Sequence, residues 1–341
     1  MKPSTKTHAM NKLGIFVGER GLWTFFRDIY TDLATHYDTS VFSPKEYPLP
    51  ILSRRVNHWA YQHGMRKILQ QSDVCFFEWA SELLQLASHM PKYSPIITRL
   101  HSFELYEWAP KINWDKVDKI IFISEAIRSK FISLYPEQAS KTALVYNSIS
   151  TNKFTPVERK FGFSIGMLST ISPIKRIYEI ILLVKELRDM GYSPTLHIAG
   201  GLKLAGSLDR YYVSVHRLVE KLDLKDAVTF YGNVSDPAGW LANIDIFISH
   251  SFWEGMQTAL LEAMASGCYC LAHFWDGAEE ALPPDNIYIT ETDLKKKIIA
   301  YSKITEEERR EHKRLLVNIA KEKFDIEDKK VIIREIIDSV I

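Results

Sequence analysis

The sequence predicts an α/β protein of two doubly wound domains, each a parallel sheet covered by helices on both faces. Three observations predict it. The chain has 341 residues, which at about 150 residues per domain makes two. Short, continuous apolar runs alternate with helix-period segments, as parallel strands and their crossover helices do. The alternation pauses at 151–159, a polar stretch containing Pro156, and then restarts.

In the first half, Leu13–Val17 reads as a strand, Gly18-Glu19-Arg20-Gly21 as a glycine turn, Leu22–Tyr37 as a helix and Thr39–Phe42 as a strand. Strand-like runs follow at Asp73–Phe77, Ile96–Leu100, Lys119–Ile123 and Ala143–Tyr146. After the linker, Gly162–Leu168 is a strand, Lys175–Met190 an amphipathic helix, Thr195–Ala199 a strand ended by Gly200-Gly201, and Arg210–Leu222 a helix. Val228–Tyr231, Ile244–Ser249 and Cys268–Ala272 continue the strands, and Thr305–Ile341 is helical with a break at Phe324-Asp325. Two such sheets leave a cleft at their carboxyl ends, where doubly wound folds bind ligands.

Composition narrows the function. Charged residues are 25% and apolar ones 46% of the chain, so it is globular rather than disordered or fibrous. Lys and Arg number 43 against 42 Asp and Glu, which gives no bulk attraction to nucleic acid or an anionic membrane. Residues 1–150 are more basic, 18 against 14, and hold five of the eight tryptophans. Three cysteines, Cys75, Cys268 and Cys270, fit a reducing cytoplasm better than a disulfide framework. No apolar run approaches the roughly 20 residues of a membrane span, and the polar start Met1–Met10 has no signal-peptide core. The chain has no HExxH, Cys-x-x-Cys or strand-end Asp-x-Asp, so no metal is expected. It also lacks a full Gly-x-Gly-x-x-Gly and a P-loop, which argues against a dehydrogenase or kinase.

The most informative segment follows the Ile244–Ser249 strand. Glu254 and Glu262 stand with seven residues between them in Glu254-Gly255-Met256-Gln257-Thr258-Ala259-Leu260-Leu261-Glu262-Ala263-Met264-Ala265-Ser266-Gly267, with Gly277-Ala278-Glu279-Glu280 beyond. A helix beginning near Gly255–Thr258 would direct free N–H groups and the positive end of its dipole at a diphosphate. Each carboxylate can accept hydrogen bonds from paired sugar hydroxyls. The plain alternative for both is a solvated helix glutamate.

This segment resembles the signature of the retaining glycosyltransferases of family 4. The resemblance runs from about residue 11 to 335 and is weak over 39–95. It implies the GT-B fold: two Rossmann-like domains with parallel sheets facing across a cleft. The first, 1–155, would bind the acceptor; the second, 156–322, the nucleotide-sugar; and a last helix, 323–341, would return to the first. Glu254 would then position the transferred sugar and Glu262 hold the ribose. Lys175, in Ser172-Pro173-Ile174-Lys175-Arg176, sits where the family places a lysine on the donor diphosphate, offsetting charge on the leaving group. The family's arginine after the glycine of the preceding strand is replaced: Gly166 is followed by Met167. Either Arg176 or another cation substitutes, or the diphosphate is held less tightly; alternatively, Arg176 is a surface residue. His101 resembles a histidine touching the donor sugar. Gly18 and Gly21 resemble the first glycine-rich loop, Gly232, Asn233 and Val234 a turn whose backbone reads the base, and Asn147 an inter-domain asparagine.

The implied reaction moves a sugar from a nucleoside diphosphate, UDP by prior, to a hydroxyl of a saccharide or lipid-linked acceptor, in polysaccharide or envelope synthesis. It retains configuration and uses no metal and no cofactor beyond the nucleotide-sugar substrate. Two other readings stay open, a GT-B sugar-nucleotide epimerase and a catalytically idle saccharide-binding subunit, the latter because of Met167. The stretch Arg54–Lys67, basic and aromatic, suits either an anionic lipid surface, making the protein peripheral at the inner face of the membrane, or a phosphorylated acceptor. Its plain alternative is a helix with a solvated basic face.

Overall fold

The computed structural model describes residues 10–18, 23, 26–43, 53–201 and 210–341. The chain divides into two compact units, Met1–Val145 with Ile326–Ile341, and Tyr146–Asp325.

The first unit is a six-stranded parallel sheet. Its strands are β1 (Lys12–Phe16), β2 (Asp38–Val41), β3 (Val74–Phe77), β4 (Ile96–Leu100), β5 (Lys119–Phe122) and β6 (Thr142–Leu144), in the order β2-β1-β3-β4-β5-β6. Its helices are α1 (Arg27–His36), α2 (Ser53–Gln71), α3 (Glu82–Ser88), α4 (Glu104–Glu107) and α5 (Glu125–Leu134). Every residue of β3 and β4 is buried, which explains why β3 is a continuous apolar run rather than an alternating one, while β4 buries Thr98 and Arg99 among its apolar residues. On one face Phe16 stacks on Phe77 with centroids 4.3 Å apart, over Met65 and Leu69 of α2. A Cβ at Gly14 of β1 would fall within 2.8 Å of Ser72, Cys75 and Ile68, so only glycine lets α2 lie this close. The opposite face gathers Ile29 and Leu33 of α1 with Phe26 and Phe76.

The second unit repeats the plan with β7 (Ser164–Leu168), α6 (Ile177–Asp189), β8 (Thr195–Ala199), α7 (Arg210–Lys221), β9 (Val228–Gly232), α8 (Pro237–Leu241), β10 (Ile246–Ser249), α9 (Thr258–Ala265), β11 (Tyr269–His273), α10 (Ala278–Ala281), β12 (Ile287–Tyr288), α11 (Glu291–Lys303) and α12 (Glu306–Phe324). Its strand order is β12-β11-β10-β7-β8-β9, again all parallel. Thr305 starts α12 with a capping box to Glu308. The chain then leaves this unit: α13 (Ile326–Asp338) buries Ile333 and Ile337 against α1 of the first. Arg334 donates to both oxygens of Asp32 at 2.5 Å, and the Tyr37 hydroxyl donates to Asp338 at 2.7 Å.

The compact units part at 145/146 and 325/326, where the sequence reading placed boundaries at 155/156 and 322/323. Residues 151–153 form a 3-10 turn tied to the second unit, with the Thr151 hydroxyl bonded to Asp325. The helix expected from Lys175 begins at Ile177, because Pro173–Lys175 makes its own turn and Arg176 takes a left-handed conformation, φ 53°. The two-residue edge strand β12 was too short to read as a strand in the sequence.

Candidate functional site

The carboxyl ends of β7 and β10 release two loops that meet in the second unit. The Phe252 N–H donates to the Ile174 carbonyl at 3.0 Å, which sets the turn bearing Lys175 beside the loop bearing Glu254. Lys175 Nζ donates to Glu254 Oε1 at 2.5 Å, and the Ser251 hydroxyl donates to the same oxygen at 2.6 Å. These side chains are 18% and 13% exposed for Lys175 and Glu254: sheltered, yet reachable.

Gly255 and Met256 are buried, and Gln257 is the extended residue before α9. No side chain among the described residues caps this helix, so its leading N–H groups and positive dipole end face whatever binds there. Asn147 Nδ2 donates to the Met256 carbonyl and to the Thr258 hydroxyl, at 3.2 and 3.3 Å, and fixes the start of the helix. Glu262 lies on α9 itself, half-buried. Burial pushes its carboxyl up to about 7, against a smaller downward pull from Lys153.

Arg176 belongs to a different set. Its guanidinium pairs with Glu291, lies 3.6 Å from Glu179 and stacks 4.4 Å from the Phe252 ring. At 7% exposed it is an internal cation already paired with carboxylates, and not a surface residue. Met167 is 2% exposed and packs in the core, so that strand position offers no cation. Gly166 has a packing reason of its own, since a Cβ there would lie 2.7 Å from Ile244.

Gly232 ends β9 at φ 63°, and its carbonyl accepts from the Gly200 N–H at 2.7 Å; Asn233 follows against Gly201, and Val234 is half-buried. Gly200 itself is irreplaceable on geometry: at φ 120° a Cβ would fall 1.9 Å from the Ser169 carbonyl oxygen. Sequence reasoning passed over Ser251, His250 and Glu291. Ser251 stands three residues before Glu254, a spacing that could have flagged it. His250 is fully enclosed, donating to or accepting from Tyr288 at 2.7 Å, and burial pushes its pKa down to about 3.

In the first unit, His101 directly follows β4 and is 7% exposed, its ring stacked on Trp79 at 3.9 Å. Its Nε2 lies 3.5 Å from Glu78 Oε1, which accepts from Arg99 Nη1 at 2.6 Å. Glu78 and Arg99 are 0% and 1% exposed. Burial lowers the His101 pKa and raises that of nearby Glu104 to about 8, so both are neutral at pH 7. Sequence reasoning missed Glu78, Arg99 and Glu104, although an arginine inside the apolar run Ile96–Leu100 is a signal in itself. Gly18, two residues beyond β1, takes φ 90°; Gly21 lies outside the described residues.

The profile of the family described as Glycosyl transferases group 1 matches residues 149–322. The chain is 26% identical to YtcC of Bacillus subtilis (strain 168) over 174 residues, 45% of this chain and 42% of that protein. It is 27% identical to the capsular polysaccharide biosynthesis glycosyltransferase CapM of Staphylococcus aureus over 160 residues, 43% of this chain and 40% of that protein. The chain thus spans about two fifths of the length of the curated relatives it matches. Among solved structures, Anabaena Alr3699/HepE in complex with UDP superposes with a TM-score of 0.75 at 19% identity, covering 97% of this chain and 100% of that one. That likeness carries the fold, the GT-B type of two parallel α/β units. With its matched span covering half the sequence, the chain belongs to the glycosyl transferases group 1 family.

Proposed function

We propose that the chain is a retaining, metal-independent glycosyltransferase of family 4 that transfers a sugar from a nucleoside diphosphate, UDP, to a hydroxyl of a saccharide or lipid-linked acceptor. The observation that carries this reading is the Lys175–Glu254 pair at the uncapped start of α9, within the segment that resembles the family signature. A cation and a helix N-terminus converge where the leaving diphosphate would develop charge, and each is more stabilising against the transition state than against the bound donor. In this reading Glu254, held by Lys175 and Ser251, exchanges those donors for sugar hydroxyls when the substrate enters. Lys175 is then released to the phosphate.

The acceptor hydroxyl attacks the anomeric carbon on the face the diphosphate leaves. The new glycosidic bond forms as the bond to the phosphate oxygen breaks, and the acceptor's proton passes to that oxygen. No protein base is needed. His101, neutral at pH 7, serves as a hydrogen-bond partner for a sugar hydroxyl and not as a cation. Glu262 takes the ribose. That HepE was solved with UDP and CapM is named for capsular polysaccharide biosynthesis supports UDP as donor nucleotide and glycan synthesis as setting.

Met167, buried where the resemblance calls for a second phosphate cation, favours a second reading: a catalytically idle subunit. Calorimetric titration with UDP, GDP and ADP in the presence of EDTA, in wild type and Glu262→Ala, separates them. Saturable binding of UDP, weakened in the variant, is the expected result. No binding of any nucleotide would sink the enzyme reading and leave the idle subunit.

A further inference from the structure

A groove of about 530 Å³ opens in the first unit between the end of β2 and helix α2. It is separate from the His101 cluster and unused by the reading above. Phe42 forms one wall, held edge-on by Tyr61 at 5.1 Å. The other wall comes from α2, where Trp59 stacks on His63 at 5.0 Å and 10°. With that neighbour in place the indole is still 65% exposed. An open tryptophan in a concave, mixed pocket presents a flat apolar face with polar groups around it, which is how a pyranose ring is recognised: its C–H face against the ring, its hydroxyls toward hydrogen-bonding groups. Here those groups are Ser40, Ser43 and Gln71.

The charge adds a second condition. Lys67 lines the groove, and the lining has no carboxylate among the described residues. Among its described side chains, α2 adds exposed Arg66 beside Lys67 and has no Asp or Glu. A neutral sugar would leave that field unmatched, whereas a sugar bearing an acid group would meet it. A bilayer surface fits less well, because lipid contact favours a broad apolar face, and among the described lining residues Trp59 is the one exposed large apolar side chain, flanked by Ser40, Ser43 and Gln71.

We propose that this groove binds an anionic saccharide, one ring stacked on Trp59 and its acid group paired with Lys67. The inference rests on the glycosyl-transfer reading, of which it names the acceptor class. The intact protein is titrated calorimetrically with trigalacturonic acid, glucose 6-phosphate and uncharged maltotriose. Wild type, Trp59→Ala and Lys67→Gln are compared, with UDP affinity measured on the same preparations. At least one anion should bind saturably and about tenfold more tightly than maltotriose, and Trp59→Ala should weaken it by about tenfold. Lys67→Gln should weaken it about threefold and flatten its salt dependence. UDP affinity should be unchanged in both variants, and whichever anion binds tighter identifies carboxylate or phosphate as the acid group. Anion binding without UDP binding would uphold the groove while removing the donor reading. UDP binding with no saccharide binding, maltotriose binding as tightly as the anions, or anion binding untouched by Trp59→Ala would overturn the proposal. Sedimentation with phosphatidylserine–phosphatidylcholine vesicles in place of saccharide binding would overturn it in favour of a membrane contact.

Discussion

Each unit places a carboxylate and a cation at the carboxyl end of its sheet, and the two pairs have opposite settings. Glu78 and Arg99 are sealed in the first unit at 0% and 1% exposure, while Glu254 and Lys175 in the second keep 13% and 18%. A sealed pair cannot exchange partners, so Glu78–Arg99 serves the fold and the placement of His101. A reachable pair can trade its internal bonds for a ligand's. Burial, not residue type, separates the structural pair from the candidate for chemistry.

The largest expected effect tests that separation on both sides. Arg99→Met leaves Glu78 buried without its cation and should cost about 3–5 kcal/mol of stability. Lys175→Met should cost about 1 kcal/mol or less but, in the proposed reaction, lower kcat by about 100- to 1,000-fold, because that reaction sets the Lys175 charge against the leaving group. Urea midpoints together with initial rates on a UDP-sugar give both numbers. Equal stability losses in the two variants would break the comparison.

Next in size is a pair of pH effects with a common cause, the burial of a carboxyl group, and opposite signs. Burial raises the Glu104 carboxyl from 4.5 to about 8. Between those values the folded protein holds a proton the unfolded chain has released, so this group's contribution to stability falls as pH rises across the window. Glu104→Gln should remove that slope, and its melting temperature should gain on wild type by several degrees from pH 5 to pH 8. If Glu262, raised to about 7, holds the ribose as proposed, UDP affinity in wild type should climb through pH 7 as the carboxylate forms to accept ribose hydroxyls. Glu262→Gln should bind more weakly and without that climb.

The contrast also shows what the sequence makes legible. The β7 to β11 alternation and the Glu254–Gly267 segment were readable because each depends on local pattern: apolar run, glycine, helix. The Arg176 pairing was not, because it depends on Glu291, 115 residues away, and on a left-handed residue that Pro173 precedes. Glu78, Arg99 and His101 likewise come from two strands that only sheet pairing makes neighbours, Phe77 standing opposite Thr98. Their roles could be suspected one by one and assigned only together.

The smallest effect sharpens the comparison most. Arg334 and Asp32, which tie α13 to α1, are 22% and 15% exposed, nearly the exposure of the Lys175–Glu254 pair, yet both belong to helices on one flank of the first sheet. If exposure alone marked a functional pair, Arg334→Ala would impair activity as Lys175→Met does. If place at the sheet's carboxyl end is also required, Arg334→Ala should lose only about 1 kcal/mol of stability, with UDP affinity and kcat unchanged. Tyr37→Phe, which removes the neighbouring bond to Asp338, should behave the same way and lose no more. Loss of turnover in either variant without loss of stability would mean that partial exposure is sufficient, and that the position of Lys175 beside α9 is not what sets it apart.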